Sequence, residues 1–235
     1  MKTLRLLCFL VLTISEMTAQ LPNVPENIKA ELEIKQIEVD GRNYPYAVDY
    51  PENYDPQVQY EAMVCLGGGS FSTEIAYYYH YCYAPRASFK DFIKIYLISP
   101  RHKSVLSFDK TDWVQLIPGI ERAENLKPDN WVISGASNGG IATYDLIAAL
   151  PDKFMGFITI PGSMGSHAFL KEWVNYKVLM VYMENDPGWT ESTKRDFKKL
   201  KQHIDAIDIY EIKDQGHILP PSFDIEPIYQ RFLKL

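Results

Sequence analysis

The sequence has little cysteine and no grouping of residues that would bind a metal ion. Its 235 residues include only three cysteines, and its five histidines are scattered along the chain. No pair of histidines has a metal-ligand spacing with cysteine or carboxylate support, so we predict no zinc or other metal site. Basic clusters that suit a phosphate backbone are also missing, and the formal net charge is −6. These features argue against a metalloenzyme and against a nucleic-acid-binding protein.

The N-terminal residues have the order of a secretory signal peptide. A basic start at residues 1–5 precedes an apolar run at residues 6–14, which is too short to span a bilayer. Small residues at 18–20 offer a cleavage site, and this order disfavours the alternative of a buried N-terminal strand. We therefore predict that residues 1–19 are removed, that the protein is secreted or periplasmic without a stable membrane span, and that residues 20–235 form a single domain.

Two cysteines remain after the predicted cleavage, Cys65 and Cys82. An exported protein could join them in a disulfide, but two buried free thiols fit the sequence equally well. The sequence leaves both alternatives open.

The first part of the mature chain has the pattern of an antiparallel hairpin. Polar and apolar residues alternate over residues 30–39, which is typical of a half-exposed strand. Residues 40–43 form a turn signal, and residues 44–50 have the pattern of the returning strand.

The rest of the chain alternates between short apolar runs and segments with helical spacing of apolar residues. The runs predict strands at residues 62–66, 92–99, 131–134, 154–160, 178–183 and 206–212, of which the first two have the pattern of buried strands. Helices are predicted at residues 112–126, which Pro118 and Gly119 could interrupt, at 141–150, at 190–203 with Thr190 as the N-cap, and from about 224 onward. This order predicts an α/β fold with a mostly parallel central sheet and helices on both faces.

Residues 77–83, Tyr-Tyr-Tyr-His-Tyr-Cys-Tyr, have the most unusual composition in the chain. Their pattern does not decide between helix and loop. The tyrosines could line an aromatic pocket for a ring or a sugar, or they could pack against the sheet, and the sequence favours neither.

A Gly-x-Ser-x-Gly motif stands between a predicted strand and a predicted helix. Ser137 is the central serine of Gly-Ala-Ser-Asn-Gly-Gly at residues 135–140. A serine hydroxyl is a weak nucleophile and must stand on a sharp turn where a base can reach it. Glycines two residues away on each side remove side chains that would collide where strand and helix come close. The context favours a catalytic serine over a glycine-rich turn with an incidental serine.

Two further loops at predicted strand ends carry the partners that such a serine needs. Asp186 follows one strand and His217 follows the last, and Ser, Asp, His is the chain order of nucleophile-elbow enzymes. We predict that His217 removes the proton of Ser137 and that Asp186 orients the imidazole. Glu184 and Asp214 are rival carboxylates. Asp186 is preferred because it lies beyond the strand end, in a turn from which its side chain can reach across.

Backbone donors for a developing oxyanion are predicted in two places. One is the N–H of Asn138, which follows the nucleophile at the start of a helix. The other is the glycine loop after the strand at residues 62–66, where Gly67 and Gly68 let backbone approach a substrate closely.

Together these segments resemble the α/β-hydrolases, and most closely the secreted esterases of the feruloyl-esterase and polyhydroxybutyrate-depolymerase type. The matching segments are a proline-containing loop at 50–55, the oxyanion loop at 66–70, the elbow at 135–140, the acid loop at 182–187 and the histidine loop at 216–217. The resemblance implies that Ser137, Asp186 and His217 are nucleophile, acid and base. Leu66 departs from the family, which usually has histidine there, and this leaves open whether Leu66, Gly67 or Gly68 presents the second N–H.

The resemblance implies a secreted serine esterase that needs no metal or organic cofactor and has a small lid or none. Acetyl or feruloyl esters of polysaccharide fragments are the expected substrates. The expected pocket residues are Met164, His167, Phe169 and Trp173 in the connection at residues 162–173, together with Trp189. Two alternatives stay open: a serine peptidase of the prolyl-oligopeptidase type, which shares the second elbow glycine, and a non-catalytic hydrolase-like binding protein.

Overall fold

The computed structural model describes residues 21–235, so the predicted signal peptide at residues 1–19 lies outside the described residues. The strands are β1 (Glu33–Val39), β2 (Arg42–Asp49), β3 (Ala62–Leu66), β4 (Ile93–Leu97), β5 (Trp131–Gly135), β6 (Phe154–Thr159), β7 (Lys177–Met183) and β8 (Ile207–Ile212). The helices are α1 (Glu26–Lys29), α2 (Thr73–Cys82), α3 (Lys110–Ala123), α4 (Asn138–Ala149), α5 (Pro187–Leu200) and α6 (Glu226–Leu233). Within the described residues no helix is long and apolar enough to cross a membrane.

The eight strands form one sheet in the order β1-β2-β4-β3-β5-β6-β7-β8. The pairs β1–β2 and β2–β4 are antiparallel, and the other five pairs are parallel. This confirms the predicted mostly parallel sheet with an antiparallel hairpin at its start. The strand order reverses between β3 and β5, and in open α/β sheets the crevice at such a point is where ligands bind.

Apolar side chains cover both faces of the sheet. In β3, Val64 and Leu66 belong to the hydrophobic cluster under α3, α4 and α5. The intervening Met63 and Cys65 belong to the cluster under α2 and α6 on the opposite face. Every residue of β3 is buried, which is why this strand has an uninterrupted apolar sequence. The prediction of helices on both faces is confirmed.

The third helix continues through Pro118 and Gly119, so neither residue interrupts it. The helix begins at a capping box: the Asp109 side chain accepts the backbone N–H of Asp112, and the Asp112 side chain accepts the backbone N–H of Asp109. A methyl group added at Gly119 would lie 2.9 Å from Ile37 Cδ1. Glycine therefore allows α3 to pack closely on β1, and this packing offsets the backbone hydrogen bond that proline removes.

The helix predicted at 190–203 starts earlier, at Pro187, with Asp186 as its N-cap residue. Proline favours the first helical position because its fixed φ suits the helix and its missing N–H would have no intrahelical partner there. Thr190 is therefore inside the helix, where its hydroxyl donates to the Met183 carbonyl at 2.8 Å. The predicted capping role of Thr190 is wrong.

Both described cysteines, Cys65 and Cys82, are buried free thiols. Of the two alternatives that the sequence left open, the structure has the one without a disulfide. Burial raises the pKa of Cys82 to about 11 and raises the pKa of Cys65 further. Both thiols are therefore protonated, and hence weakly reactive, near neutral pH.

The only fully buried histidine among the described residues is His80, on α2. Its Nδ1 lies 2.7 Å from the Tyr96 hydroxyl, and its Nε2 lies 2.9 Å from a carboxylate oxygen of Glu31. Burial, with a contribution from the nearby Arg86 guanidinium, lowers the pKa of His80 against the opposing effect of the carboxylates of Asp49 and Glu31. The folded protein therefore favours the neutral imidazole.

We expect the protein to lose stability as the pH falls below about 6.5, the ordinary pKa of histidine. The unfolded chain then binds a proton that folded His80 takes up only at lower pH, so the stabilisation is complete above this pH and is lost below it. The urea concentration at the unfolding midpoint should therefore decrease when the pH is lowered from 8 to 5.5. The decrease should be smaller in His80→Phe. Equal decreases in the two proteins would contradict this assignment.

Candidate active site

Ser137 occupies a sharp turn between β5 and α4. The strand ends at Gly135 and the helix begins at Asn138, so two residues make the connection. Ser137 has φ 55° and ψ −119°, a conformation that few residues other than glycine adopt and that often marks a functional site. Its N–H donates to the Pro161 carbonyl at 2.9 Å. This hydrogen bond ties the strained turn to the loop after β6.

Close backbone packing explains the glycines of the motif. A methyl group added at Gly139 would overlap the carbonyl group of Leu66 at the end of β3. One added at Gly135 would overlap the Gly139 carbonyl and the Thr143 hydroxyl on α4. Any side chain at either position would push α4 away from β3 and β5, and Ser137 would move with it.

Three side chains from three loops form a continuous chain of hydrogen bonds. His217 Nε2 lies 2.9 Å from Ser137 Oγ, and His217 Nδ1 lies 2.6 Å from Asp186 Oδ2. The Asp186 side chain is 13% exposed and that of His217 37%, so the carboxylate is the more shielded of the pair. The hydrogen on Nδ1 is donated to the carboxylate, which leaves the Nε2 lone pair to accept the serine hydrogen.

The rival carboxylates do not approach the imidazole. Glu184 accepts a hydrogen bond from the backbone N–H of Asp214 at 3.0 Å. Beside this contact, the Asn185 N–H donates to the Gln215 carbonyl at 2.9 Å. These two hydrogen bonds join the loop that carries Asp186 to the loop that carries the histidine.

Ser137 and His217 open onto a cavity of about 450 Å³. The remaining walls are Leu21, Gly68, Gly69, Ile75, Tyr78, Tyr79, Tyr83, Ala136, Asn138, Ile160 and Ile218. None of these described wall residues is an aspartate, glutamate, lysine or arginine, so the cavity is suited to an uncharged group. Among residues 21–235, no group of three or more histidines, cysteines or carboxylates is placed to hold a metal ion.

The tyrosine-rich segment both lines the cavity and packs against the sheet. It forms most of α2, and three of its tyrosines are wall residues. The Tyr79 hydroxyl lies 2.7 Å from Ser134 Oγ on β5, and its ring stacks on Tyr83 with the centroids 5.3 Å apart. The two roles that the sequence left open are therefore both present.

Asn138 joins the start of α4 to the glycine loop after β3. It is the first residue of the helix, so its backbone N–H has no intrahelical acceptor and lies directly after Ser137. Its side-chain amide donates to the Gly69 carbonyl at 2.9 Å. This contact fixes the loop against the helix that follows Ser137.

Of the two predicted loop glycines, Gly68 rather than Gly67 lies beside Ser137. A methyl group added at Gly68 would lie 3.2 Å from Ser137 Cβ, and Gly68 lines the cavity. A methyl group added at Gly67 would overlap the Ile75 side chain, and Gly67 is not among the wall residues. The position of Gly67 therefore does not support the prediction that its N–H donates to the oxyanion.

The wall residues predicted within residues 162–173 do not line the cavity. Three of them pack against the hydrophobic core under α4: Met164, Phe169 and Trp173. His167 lies 2.9 Å from the Asp145 carboxylate, outside the cavity. The physical reason is the buried Asp196 on α5, which accepts hydrogen bonds from the Ser163 hydroxyl and the Met164 N–H, both at 2.9 Å. These bonds draw the segment against α5 and away from Ser137.

Trp189 contacts His217 although it is not a wall of the cavity. Its ring stacks on the His217 imidazole, with the centroids 5.6 Å apart and the planes 28° apart. Four aliphatic walls were not predicted from the sequence: Leu21, Ile75, Ile160 and Ile218. Two of them had a positional signal, since Ile160 follows the end of β6 and Ile218 follows His217.

No protein-family model matches the sequence, and no curated protein matches it significantly. Solved structures do match. A thermostable esterase superposes with a TM-score of 0.67 at 18% identity, over 88% of this chain and 63% of that protein. A mutant feruloyl esterase module from Clostridium thermocellum, in complex with sinapinate, superposes with a TM-score of 0.64 at 13% identity, over 86% of each chain. Dipeptidyl peptidase 4 from Porphyromonas gingivalis superposes with a TM-score of 0.58 at 15% identity, over 86% of this chain and 35% of the peptidase.

This chain thus spans less than two thirds of the thermostable esterase and about a third of the peptidase. At these identities the likeness concerns architecture. The sheet order, the antiparallel start and the strand-turn-helix around Ser137 agree with it. The protein has the α/β-hydrolase fold.

Proposed function

We propose that the protein is a serine hydrolase that cleaves carboxylic esters through an acyl-enzyme on Ser137. The observation that carries this proposal is the chain of hydrogen bonds from Ser137 through His217 to Asp186, beside an apolar cavity. A distance of 2.9 Å is within the range that proton transfer to a general base requires. The fold that the chain shares with solved esterases supports the same reading.

In the first half-reaction, His217 Nε2 takes the hydroxyl proton while Ser137 Oγ attacks the ester carbonyl carbon. The tetrahedral intermediate collapses when His217 gives that proton to the alcohol oxygen, which leaves, and the acyl group stays on Ser137. In the second half-reaction, water gives a proton to His217 and attacks the acyl carbon. The acid is released as Ser137 Oγ takes the proton back. Asp186 stabilises the imidazolium formed in each half.

The negative charge that develops on the carbonyl oxygen needs backbone donors. We propose that the N–H of Asn138 is one and that the glycine loop at Gly68 supplies the other, because both residues lie beside Ser137. Each such donor typically contributes about 10²- to 10³-fold in rate.

The acyl group is proposed to be apolar and larger than acetyl. An acetyl group would fill little of a cavity of about 450 Å³. The Tyr78 and Tyr79 hydroxyls are engaged in internal hydrogen bonds, so these walls offer mainly ring surface. A feruloyl-type acyl group suits such walls better than acetate does. With the signal peptide predicted at residues 1–19, esters of polysaccharide fragments outside the cell are the substrates that we propose.

A series of esters tests this proposal. We expect kcat/KM to rise about tenfold from p-nitrophenyl acetate to p-nitrophenyl butyrate, since each buried methylene contributes about 0.8 kcal/mol. Methyl ferulate should also be hydrolysed, and Ser137→Ala provides the blank. A preference for acetate would overturn the assignment of the acyl group. No turnover of any ester would overturn the proposed function.

Peptide hydrolysis is a second candidate, because the chain also superposes on a dipeptidyl peptidase and the same triad chemistry cleaves amides. A peptidase that binds a charged amino terminus needs a carboxylate near the nucleophile. None of the described wall residues is an aspartate or a glutamate, so the ester reading is preferred. Turnover of dipeptide p-nitroanilides faster than that of p-nitrophenyl butyrate would reverse this preference.

A further inference from the structure

Two tyrosines hold both backbone polar groups of Leu219. The Tyr78 hydroxyl donates to the Leu219 carbonyl at 2.6 Å, and the Leu219 N–H donates to the Tyr83 hydroxyl at 3.1 Å. Tyr78 belongs to α2, and Tyr83 is the residue that caps its C-terminal end. Leu219 is fully buried in the same apolar cluster as the two rings. One residue of the loop after β8 is therefore held by hydrogen bonds on both sides.

Leu219 is two residues after His217, so these bonds fix one end of the histidine loop. The other end is fixed by the Gln215 carbonyl, which accepts the Asn185 N–H at 2.9 Å. The imidazole extends from between these two fixed points to Ser137. A loop held at both ends restricts the displacement of the side chain that it carries.

Both tyrosines are almost completely buried, and each is also a wall of the cavity. Burial raises the pKa of both phenols, so Tyr78 keeps the hydrogen that it donates near neutral pH. At the end of α2, the Tyr83 carbonyl accepts the Tyr229 hydroxyl at 2.6 Å. The Tyr83 ring also contacts the rings of Tyr78 and Tyr79, with centroid distances of 6.1 and 5.3 Å, so both rings have contacts outside the histidine loop.

We propose that Tyr78 and Tyr83 are positioning residues for His217, which their hydroxyls align through Leu219, while their rings form the wall against which the acyl group packs. This inference rests on the proposed function, because it requires His217 to act as the base. Neither hydroxyl makes a hydrogen bond to the triad, so the effect is transmitted through the loop backbone.

The arrangement assigns different kinetic roles to the two parts of each tyrosine. The hydroxyl sets the position of the base and hence kcat. The ring sets the fit of the acyl group and hence the selectivity among esters. A misplacement of about 1 Å in a catalytic group can cost about 10²-fold in rate. Removing the hydroxyls while keeping the rings should therefore lower kcat and leave the selectivity unchanged.

The test compares Tyr78→Phe, Tyr83→Phe and the double variant on p-nitrophenyl butyrate and acetate. We expect each single variant to lower kcat about 3- to 10-fold and the double variant about 30- to 100-fold, with KM within about twofold of wild type. The rate at which a fluorophosphonate labels Ser137 should fall by a similar factor, because the same base activates the serine. The butyrate-to-acetate ratio should stay constant in these variants and change in Tyr78→Ala.

Tyr81→Phe is the matched control. Tyr81 lies on the same helix, but its hydroxyl makes no hydrogen bond to the part of the chain described, and it does not line the cavity. Loss of the Tyr81 hydroxyl should leave kcat and the rate of fluorophosphonate labelling unchanged. The single phenylalanine variants keep the buried rings, so they remain informative if the double variant does not fold.

The positioning role is overturned if both folded single variants keep kcat and the labelling rate within about twofold of wild type. An equal decrease in Tyr81→Phe would also overturn it, since the effect would then not depend on Leu219. Full activity of Ser137→Ala is a different outcome, because it would overturn the proposed function itself.

Discussion

Replacing Ser137 by alanine is expected to lower kcat for p-nitrophenyl butyrate by about 10⁵-fold or more. The hydroxyl oxygen lies 2.9 Å from His217 Nε2 and is the only hydroxyl within hydrogen-bond distance of that imidazole among residues 21–235. Without it no acyl-enzyme can form, and only transition-state binding by the rest of the site remains. Steady-state hydrolysis, with the variant protein purified separately from wild type, measures the decrease.

Ser192→Ala is the control for this change. Among residues 21–235 the Ser192 hydroxyl bonds only to carbonyl groups of its own helix, Gly188 and Trp189, so its loss should leave kcat within about twofold of wild type. A Ser137→Ala protein that retains a tenth or more of the wild-type kcat, with an unchanged thermal midpoint, would contradict the assignment of Ser137 as the nucleophile.

The second large effect is expected at Gly139, and it concerns folding as much as catalysis. A methyl group there would overlap the Leu66 carbonyl, which itself accepts the Ala136 N–H at 3.0 Å. Both partners are backbone, so no side chain can rotate away to relieve the overlap. We expect Gly139→Ala to lower the free energy of unfolding by about 3 kcal/mol or more, or to prevent folding. Urea denaturation followed by circular dichroism measures this change.

Gly188→Ala is the matched control, because a methyl group added there meets nothing within 4 Å. Gly188 is in the first turn of α5, and alanine at a compatible helical position is neutral or slightly stabilising. A Gly139→Ala protein with the urea midpoint and the activity of Gly188→Ala would contradict the packing that is described for the elbow.

The position of the triad could be predicted because it depends on local patterns and on one property of parallel sheets. Ser137, Asp186 and His217 each follow a strand that the sequence pattern predicts, and the carboxyl ends of parallel strands share one edge of a sheet. The structure brings the three side chains within hydrogen-bond distance. Their catalytic roles remain the proposal that the experiments above test.

The cavity walls could not be predicted in the same way, because they depend on contacts between distant parts of the chain. Tyr78 and Leu219 are 141 residues apart, and no local pattern indicates that they meet. Met164 was misplaced for a similar reason. It follows β6 closely in sequence, but its N–H bonds to Asp196, 32 residues later. A buried carboxylate on a charged helix gives no sign in the sequence of which loop it binds.

The mass of the protein after reaction with a fluorophosphonate, followed by peptide mapping, tests whether Ser137 is the nucleophile. We expect one adduct per chain, located on Ser137, and no adduct in Ser137→Ala. We also expect much slower labelling in His217→Ala, because Nε2 is the proposed base and lies 2.9 Å from the hydroxyl. An adduct on any other residue, or no adduct on a protein that hydrolyses esters, would contradict the assignment of Ser137.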